Sequence, residues 1–110
     1  MIRMHIHILG ICGTFMGGLA ALAREAGHRV TGCDANVYPP MSDQLRALGI
    51  ELTEGWEPVQ MSLQPDQYVV GNVVTRGNPL MEAILDAGAA YTSGPQWLAE
   101  QVLHLSLIHI

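Results

Sequence analysis

The segment richest in chemistry-bearing residue types is Gly10-Ile11-Cys12-Gly13-Thr14-Phe15-Met16-Gly17-Gly18, which joins a short apolar run to a helical pattern. Glycines at such a junction let the backbone turn tightly and approach a phosphate, while unpaired N–H groups at the helix start point at the anion. The spacing departs from the Gly-x-Gly-x-x-Gly dinucleotide pattern. With Gly10 placed first, Cys12 and Phe15 stand where glycines belong, and Gly13 and Gly17 supply flexibility at other offsets. A plain strand-to-helix turn would use the same residues. Asp34 closes a second apolar run, where an acid either accepts a hydrogen bond from a ribose hydroxyl or simply ends a turn. The third segment is Asn72-Val73-Val74-Thr75-Arg76-Gly77-Asn78-Pro79. Arg76 could pair with a phosphate or carboxylate, and Asn72, Thr75 and Asn78 add neutral donors. The alternative is a helix entry with Asn78 as cap, Pro79 in the first turn and Arg76 in solvent.

Other reactive residue types carry less. His5 and His7 alternate with Ile6 and Ile8, so both point to one face of a strand; no carboxylate or cysteine set with metal-ligand spacing accompanies them, and they read as hydrogen-bonded strand histidines. Cys12 lies near a helix start, which could lower its thiol pKa, yet no catalytic partner is identifiable and its backbone is what matters. Met16 and Trp97 read most simply as core. The chain contains no lysine. That excludes a phosphate loop ending Gly-Lys-Ser/Thr, a Schiff base and a lysine base.

The elements that must position these residues alternate between strand and helix. Strands are expected at Met4–Leu9, Arg29–Cys33, Ile50–Leu52, Gln67–Gly71 and Ala90–Thr92. Helices are expected over Met16–Ala26, from a cap at Ser42 through Leu48, from Asn78 and Pro79 to about Ala87, and from Ser93 or Pro95 onward. Trp56–Pro65 reads as a loop with one helical turn. This alternation implies βαβ crossovers: an α/β, Rossmann-like parallel sheet of about five strands with helices on both faces. Ligands in such sheets sit outside the carboxyl ends of the strands, where Gly10, Asp34, Asn72 and Ser93 fall.

One hundred and ten residues, 49% apolar and 14% charged, suit a single folded domain. A net charge of −5 without a basic run argues against a nucleic-acid partner. Two cysteines are too few for a secreted disulfide scaffold, and no apolar run approaches the roughly 20 residues that span a bilayer. These features place the chain in the cytoplasm, away from membranes. Leu105-Ser106-Leu107-Ile108-His109-Ile110 breaks the preceding helical pattern and reads as a tail foreign to the domain, which then spans 1–104.

Taken together, His5–Ala20, Val30–Met41, Gly71-Asn72 with Thr75–Pro79, and Ser93–Leu98 resemble the Mur ligase family, over about residues 5–103. The second segment is similar to the member that joins a tripeptide salvaged from murein to UDP-N-acetylmuramate. The resemblance implies an ATP- and Mg²⁺-dependent amide ligase acting through an acyl phosphate. It also implies three domains: a Rossmann-like UDP-sugar domain, a central ATPase and a C-terminal domain for the incoming peptide. This chain resembles only the first, so it should bind neither ATP nor Mg²⁺ and should be inactive alone, with the tripeptide engaged through the other domains. Implied UDP-sugar contacts are Gly10, Cys12, Gly13, Thr14, Phe15 and Met16 at the pyrophosphate, Asp34 near the uridine, and Asn72, Thr75, Arg76 and Asn78 closing the site. Trp97 and Leu98 are candidates for a surface packing against the ATPase. Cys33 and Val73 depart from the family pattern, standing where smaller residues such as Ser and Ala are expected. Two other readings remain: an NAD(P)-binding domain of a dehydrogenase, whose glycine spacing Cys12 and Phe15 break, and a stand-alone nucleotide-sensing module.

Overall fold

Alternation in His5–Leu9 divides its side chains between two layers, and the rest of the architecture follows. In the computed structural model, which describes residues 3–75 and 77–108 and side chains up to 101, this segment is the central strand β1. Ile6 and Ile8 bury on one face with Ile11, Leu19, Ala20, Ala23 and Val30; Leu9 buries on the other with Cys33, Tyr68, Leu80 and Ile84. A strand covered on both faces is the signature of a parallel α/β sheet.

The chain continues through α1 (Thr14–Glu25), β2 (Arg29–Asp34), α2 (Met41–Ala47), β3 (Glu51–Glu54), a 3₁₀ segment (Pro58–Leu63), β4 (Gln67–Val70), α3 (Pro79–Ala87), β5 (Tyr91–Ser93) and α4 (Gly94–Ile108). All five strands are parallel, in the order β3-β2-β1-β4-β5. The order reverses at β1, so the crevice between the carboxyl ends of β1 and β4 is the topological switch point. The expected α/β Rossmann-like class is therefore the observed one. Helix α1 packs between α2 and α4 on one face, and α3 lies with the 3₁₀ segment on the other.

Several boundaries differ from the expected ones for local reasons. Helix α1 starts at Thr14, two residues early, because Gly13 takes the extended N-cap conformation. Ser42 does not cap α2. The helix begins at Met41 after a cis Pro39-Pro40 bond, so Ser42 is already helical, and its hydroxyl is buried without a hydrogen-bond partner among the described residues. Ile50 stays outside β3 because its amide donates to the Leu45 carbonyl (3.2 Å) and closes the end of α2. Asn78 does cap α3: its carboxamide oxygen accepts from the amides of Leu80 (3.1 Å) and Met81 (3.2 Å), Pro79 holds the first position, and Gly88 ends the helix at φ +66°. Helix α4 runs on through Leu105–Ile108, past the point where its apolar pattern breaks; His109 and Ile110, the end of the expected tail, lie outside the described residues. Trp97 is 3% exposed and belongs to the core, so it is not the open docking surface suggested for it, while Leu98 is partly buried against the same core. No helix among the described residues is long and apolar enough to cross a membrane.

Candidate functional site

The glycine segment is shaped by two anchors. Gly10 leaves β1 at φ +82°, and its amide and that of Ile11 both donate to the Cys33 carbonyl, at 2.8 and 3.1 Å. The chain therefore crosses the end of β2. Ile11 then inserts its fully buried side chain over Gly32, where an added Cβ would stand 2.9 Å from the Ile11 Cβ and from the Ile8 carbonyl oxygen. Only a glycine in β2 leaves room for that insertion.

Asp34 supplies the second anchor. One carboxylate oxygen accepts the Cys12 amide (3.0 Å) and the other accepts the Ala35 amide (2.7 Å). The acid at the end of β2 thus ties the glycine loop to the β2 turn while facing a cleft of about 500 Å3. Helix α1 begins immediately after, with Gly13 as N-cap, no side-chain cap and no acid in the first turn. The amides of Thr14, Phe15 and Met16 are thus the unpaired first-turn donors of a helix, aimed at the switch point, and the helix dipole adds partial positive charge there.

The large cleft is lined by Gly10, Cys12 and Gly13 on one side and by Asn36, Tyr38, Met41 and Trp56 on the other. A second cleft of about 200 Å3 adjoins it, lined by Thr14, Phe15, Met16, Asn72 and Pro95. Gly10, Gly13 and Val73 line both. Three of the large apolar side chains left exposed, Phe15 (49%), Tyr38 (66%) and Val73 (69%), stand on these clefts. Apolar exposure gathered at a concavity marks binding surfaces more than chance does.

Most of the expected site residues therefore meet. Gly10, Cys12, Gly13, Asp34 and Asn78 line the large cleft, and Thr14, Phe15, Met16 and Asn72 the smaller one. Thr75 lines neither; it is exposed, and its carbonyl accepts the Asn78 amide (3.2 Å). Asn78 spends its carboxamide oxygen on the α3 cap, which leaves its NH₂ toward the cleft as the group free to donate. Arg76 lies outside the described residues. Cys12 corrects an expectation: burial and the Asp34 carboxylate push its thiol up, not down, outweighing the opposite pull of Arg46. Cys33 is buried and pushed up to about 12. Neither is an activated nucleophile.

Reasoning from residue spacing missed the far wall, Asn36, Tyr38 and Trp56. Asn36 and Tyr38 carry a signal, since they follow directly on the carboxyl end of β2. Trp56 comes from a stretch without periodicity, and its placement depends on a polar network. Gln60, 5% exposed, donates from Nε2 to the Gly55 carbonyl (3.0 Å), so its Oε1 faces His7. His7 Nε2–H donates to it (2.9 Å), the Thr31 hydroxyl donates to His7 Nδ1 (2.7 Å), and His5 Nε2–H donates to Thr31 Oγ1 (2.9 Å). This is the assignment that satisfies every group with both imidazoles neutral. Burial pushes both histidines below their usual value, with Arg29 adding to the effect at His5. The pair is structural, as the sequence suggested, and it holds the 3₁₀ segment and the Gly55-Trp56 turn against the sheet. No group of three or more metal-ligating side chains exists among the described residues.

A doubly wound parallel sheet with a glycine loop and a two-part cleft at its switch point defines the chain as a Rossmann-like domain. More narrowly, the description "Mur ligase family, catalytic domain" matches residues 5–104, and the chain belongs to the Mur ligase family. It is 62% identical over 100 residues to the UDP-N-acetylmuramate–L-alanyl-gamma-D-glutamyl-meso-2,6-diaminoheptandioate ligase of Escherichia coli, covering 91% of this chain and 22% of that protein. The crystal structure of the corresponding diaminopimelate ligase from Neisseria meningitides superposes with a TM-score of 0.90 at 60% identity, covering 94% of this chain and 32% of that one. A murein peptide ligase from Psychrobacter arcticus gives 0.88 at 59% identity, covering 92% and 21%. The chain thus spans about a fifth of the length of the curated relatives it matches.

Proposed function

We propose that this domain binds UDP-N-acetylmuramate on behalf of an ATP-dependent ligase that attaches a recycled murein tripeptide to it. The observation that carries the reading is the row of unpaired first-turn amides of α1, set beside a glycine loop and between two clefts. The diphosphate would lie over Gly10–Met16, neutralised by those amides and the helix dipole. The nucleoside would occupy the 500 Å3 cleft, within the range of about 300 to 1,000 Å3 usual for small-molecule sites, near Asp34, Tyr38 and Trp56. Asn72 and Asn78 would donate from the opposite edge, with Thr75 and Arg76 between them in the sequence. The names of the close relatives supply the sugar and the peptide.

ATP and Mg²⁺ belong to the reaction the family resemblance implies, but the residues here do not fit either group. The sequence has no lysine to complete a phosphate loop around ATP, and no group of three or more metal-ligating side chains is present among the described residues to cage a cation by itself. The domain's part is to bind and orient the UDP-sugar; by this reading it has no ligase activity by itself and meets the tripeptide only through other domains. Such substrates place the protein in the cytoplasm, and its acidic charge argues against nucleic-acid partners.

Titration calorimetry tests the reading. UDP-N-acetylmuramate should give saturable one-to-one heats, and NADPH should give none at the same concentrations. Equal responses to the two would return the domain to the dehydrogenase class, and no response to either would leave the proposal without support.

A further inference from the structure

We propose that Val73 is a specificity-determining residue whose side-chain volume sets how large a group beyond the diphosphate this site accepts. The inference rests on the UDP-sugar reading above and adds to it which side chain controls the sugar end. Val73 is one of three residues shared by the two clefts, and the other two, Gly10 and Gly13, offer only backbone. Its isopropyl group is therefore the one side chain common to both walls. It is 69% exposed, so it is no core residue held there by packing.

The backbone beneath it is fixed. The Gly71 amide donates to the Leu9 carbonyl (2.9 Å) at the end of β1, and the Val74 amide closes a turn onto the Gly71 carbonyl (3.1 Å). The side chain leans on the glycine loop so closely that a Cβ placed at Gly10 would stand 2.9 Å from Val73 Cγ2. A ligand passing from the large cleft to the small one must cross the Gly10–Gly13 saddle beneath this side chain. On the nucleoside side the lining is mixed and roomy, with Asp34 and Asn36 beside Tyr38, Met41 and Trp56. On the other side it is small and mostly apolar, with Phe15, Met16 and Pro95 and with Thr14 and Asn72 as its polar side chains. A nucleoside diphosphate alone fills the first compartment and the saddle. A nucleoside-diphosphate sugar must also enter the second, and residue 73 narrows that entry.

The test compares the 110-residue chain with Val73→Ala and Val73→Phe, measuring affinities for UDP and for UDP-N-acetylmuramate by calorimetry. Unfolding midpoints serve as the control for folding, which an exposed position should leave within a degree or two. UDP, whose diphosphate shares the saddle with Val73, should change in affinity severalfold less than UDP-N-acetylmuramate in each variant. UDP-N-acetylmuramate should bind the Ala variant at least as tightly as the parent and the Phe variant at least tenfold more weakly. Parallel loss of both ligands in the Phe variant, or equal binding of the UDP-sugar by all three, would overturn the role of Val73 while leaving the UDP-sugar reading intact. Failure of the parent chain to bind either ligand would overturn both.

Discussion

At the residue scale the decisive finding concerns Asp34. Its position at the end of a strand admitted a ribose contact or a turn, and the structure shows a third role, holding the Cys12 and Ala35 amides with separate oxygens. Hydrogen bonds to a charged acceptor contribute about 1.5–3 kcal/mol each. Asp34→Asn removes the charge and replaces one acceptor oxygen with a donor that faces a backbone N–H. Affinity for UDP-N-acetylmuramate should fall about tenfold or more, since each ~1.4 kcal/mol is a factor of ten; unchanged affinity would mean that the loop holds its shape without the acid. The double use of Asp34 was not legible in the sequence, because spacing locates a residue on an edge and says nothing about which amides the neighbouring loop presents to it. The same limit explains Cys12, where proximity to a helix start was visible and proximity to Asp34 was not.

At the element scale the glycine loop depends on β2 as much as on its own residues. Ile11 is buried because Gly32 leaves space for it, and both Ile11 Cβ and the Ile8 carbonyl oxygen would contact a methyl there. The carbonyl belongs to the central strand and cannot move aside. Gly32→Ala should therefore destabilise the domain by about 1–3 kcal/mol, the usual cost of overpacking, read as a lower urea midpoint. Ile11→Ala, which removes the side-chain end nearest that methyl, should cost less in the Gly32→Ala background than in the parent; a purely additive double variant would show that the two residues do not share the space. Asn78→Ala should cost about 1 kcal/mol through the α3 cap. The strands, α1 and α3 were readable because periodicity, Gly stops and the Asn-Pro start all agree. The 3₁₀ segment was not, because Gln60 is held by a histidine fifty-three residues earlier and leaves no local pattern.

At the scale of the whole molecule, two histidines of β1 and one just before β2 share one direction. Burial lowers His5, His7 and His28 below the 6.5 of a free imidazole, so the folded chain resists protonation that the unfolded chain accepts. Below pH 6.5 the unfolded state binds more protons, and stability must fall as pH falls. Urea midpoints should therefore be nearly level around pH 7.5 and drop from about pH 6.5 to 5, and His7→Gln, which removes the most deeply buried of the three, should flatten that slope even if it lowers stability at pH 7.5. A midpoint independent of pH across that range would contradict the neutral network. The parallel architecture was legible as a whole, since strand and helix signals alternate throughout; the division of the switch point into two clefts emerged only from the folded chain. Amide chemical-shift mapping with UDP-N-acetylmuramate tests the central claim most directly. Saturable shifts should concentrate at Gly10–Met16, Asp34–Tyr38, Trp56, Asn72-Val73 and Asn78, with the C-terminal half of α3 and the far ends of the strands unmoved. Shifts clustered elsewhere, or none at saturating ligand, would contradict it.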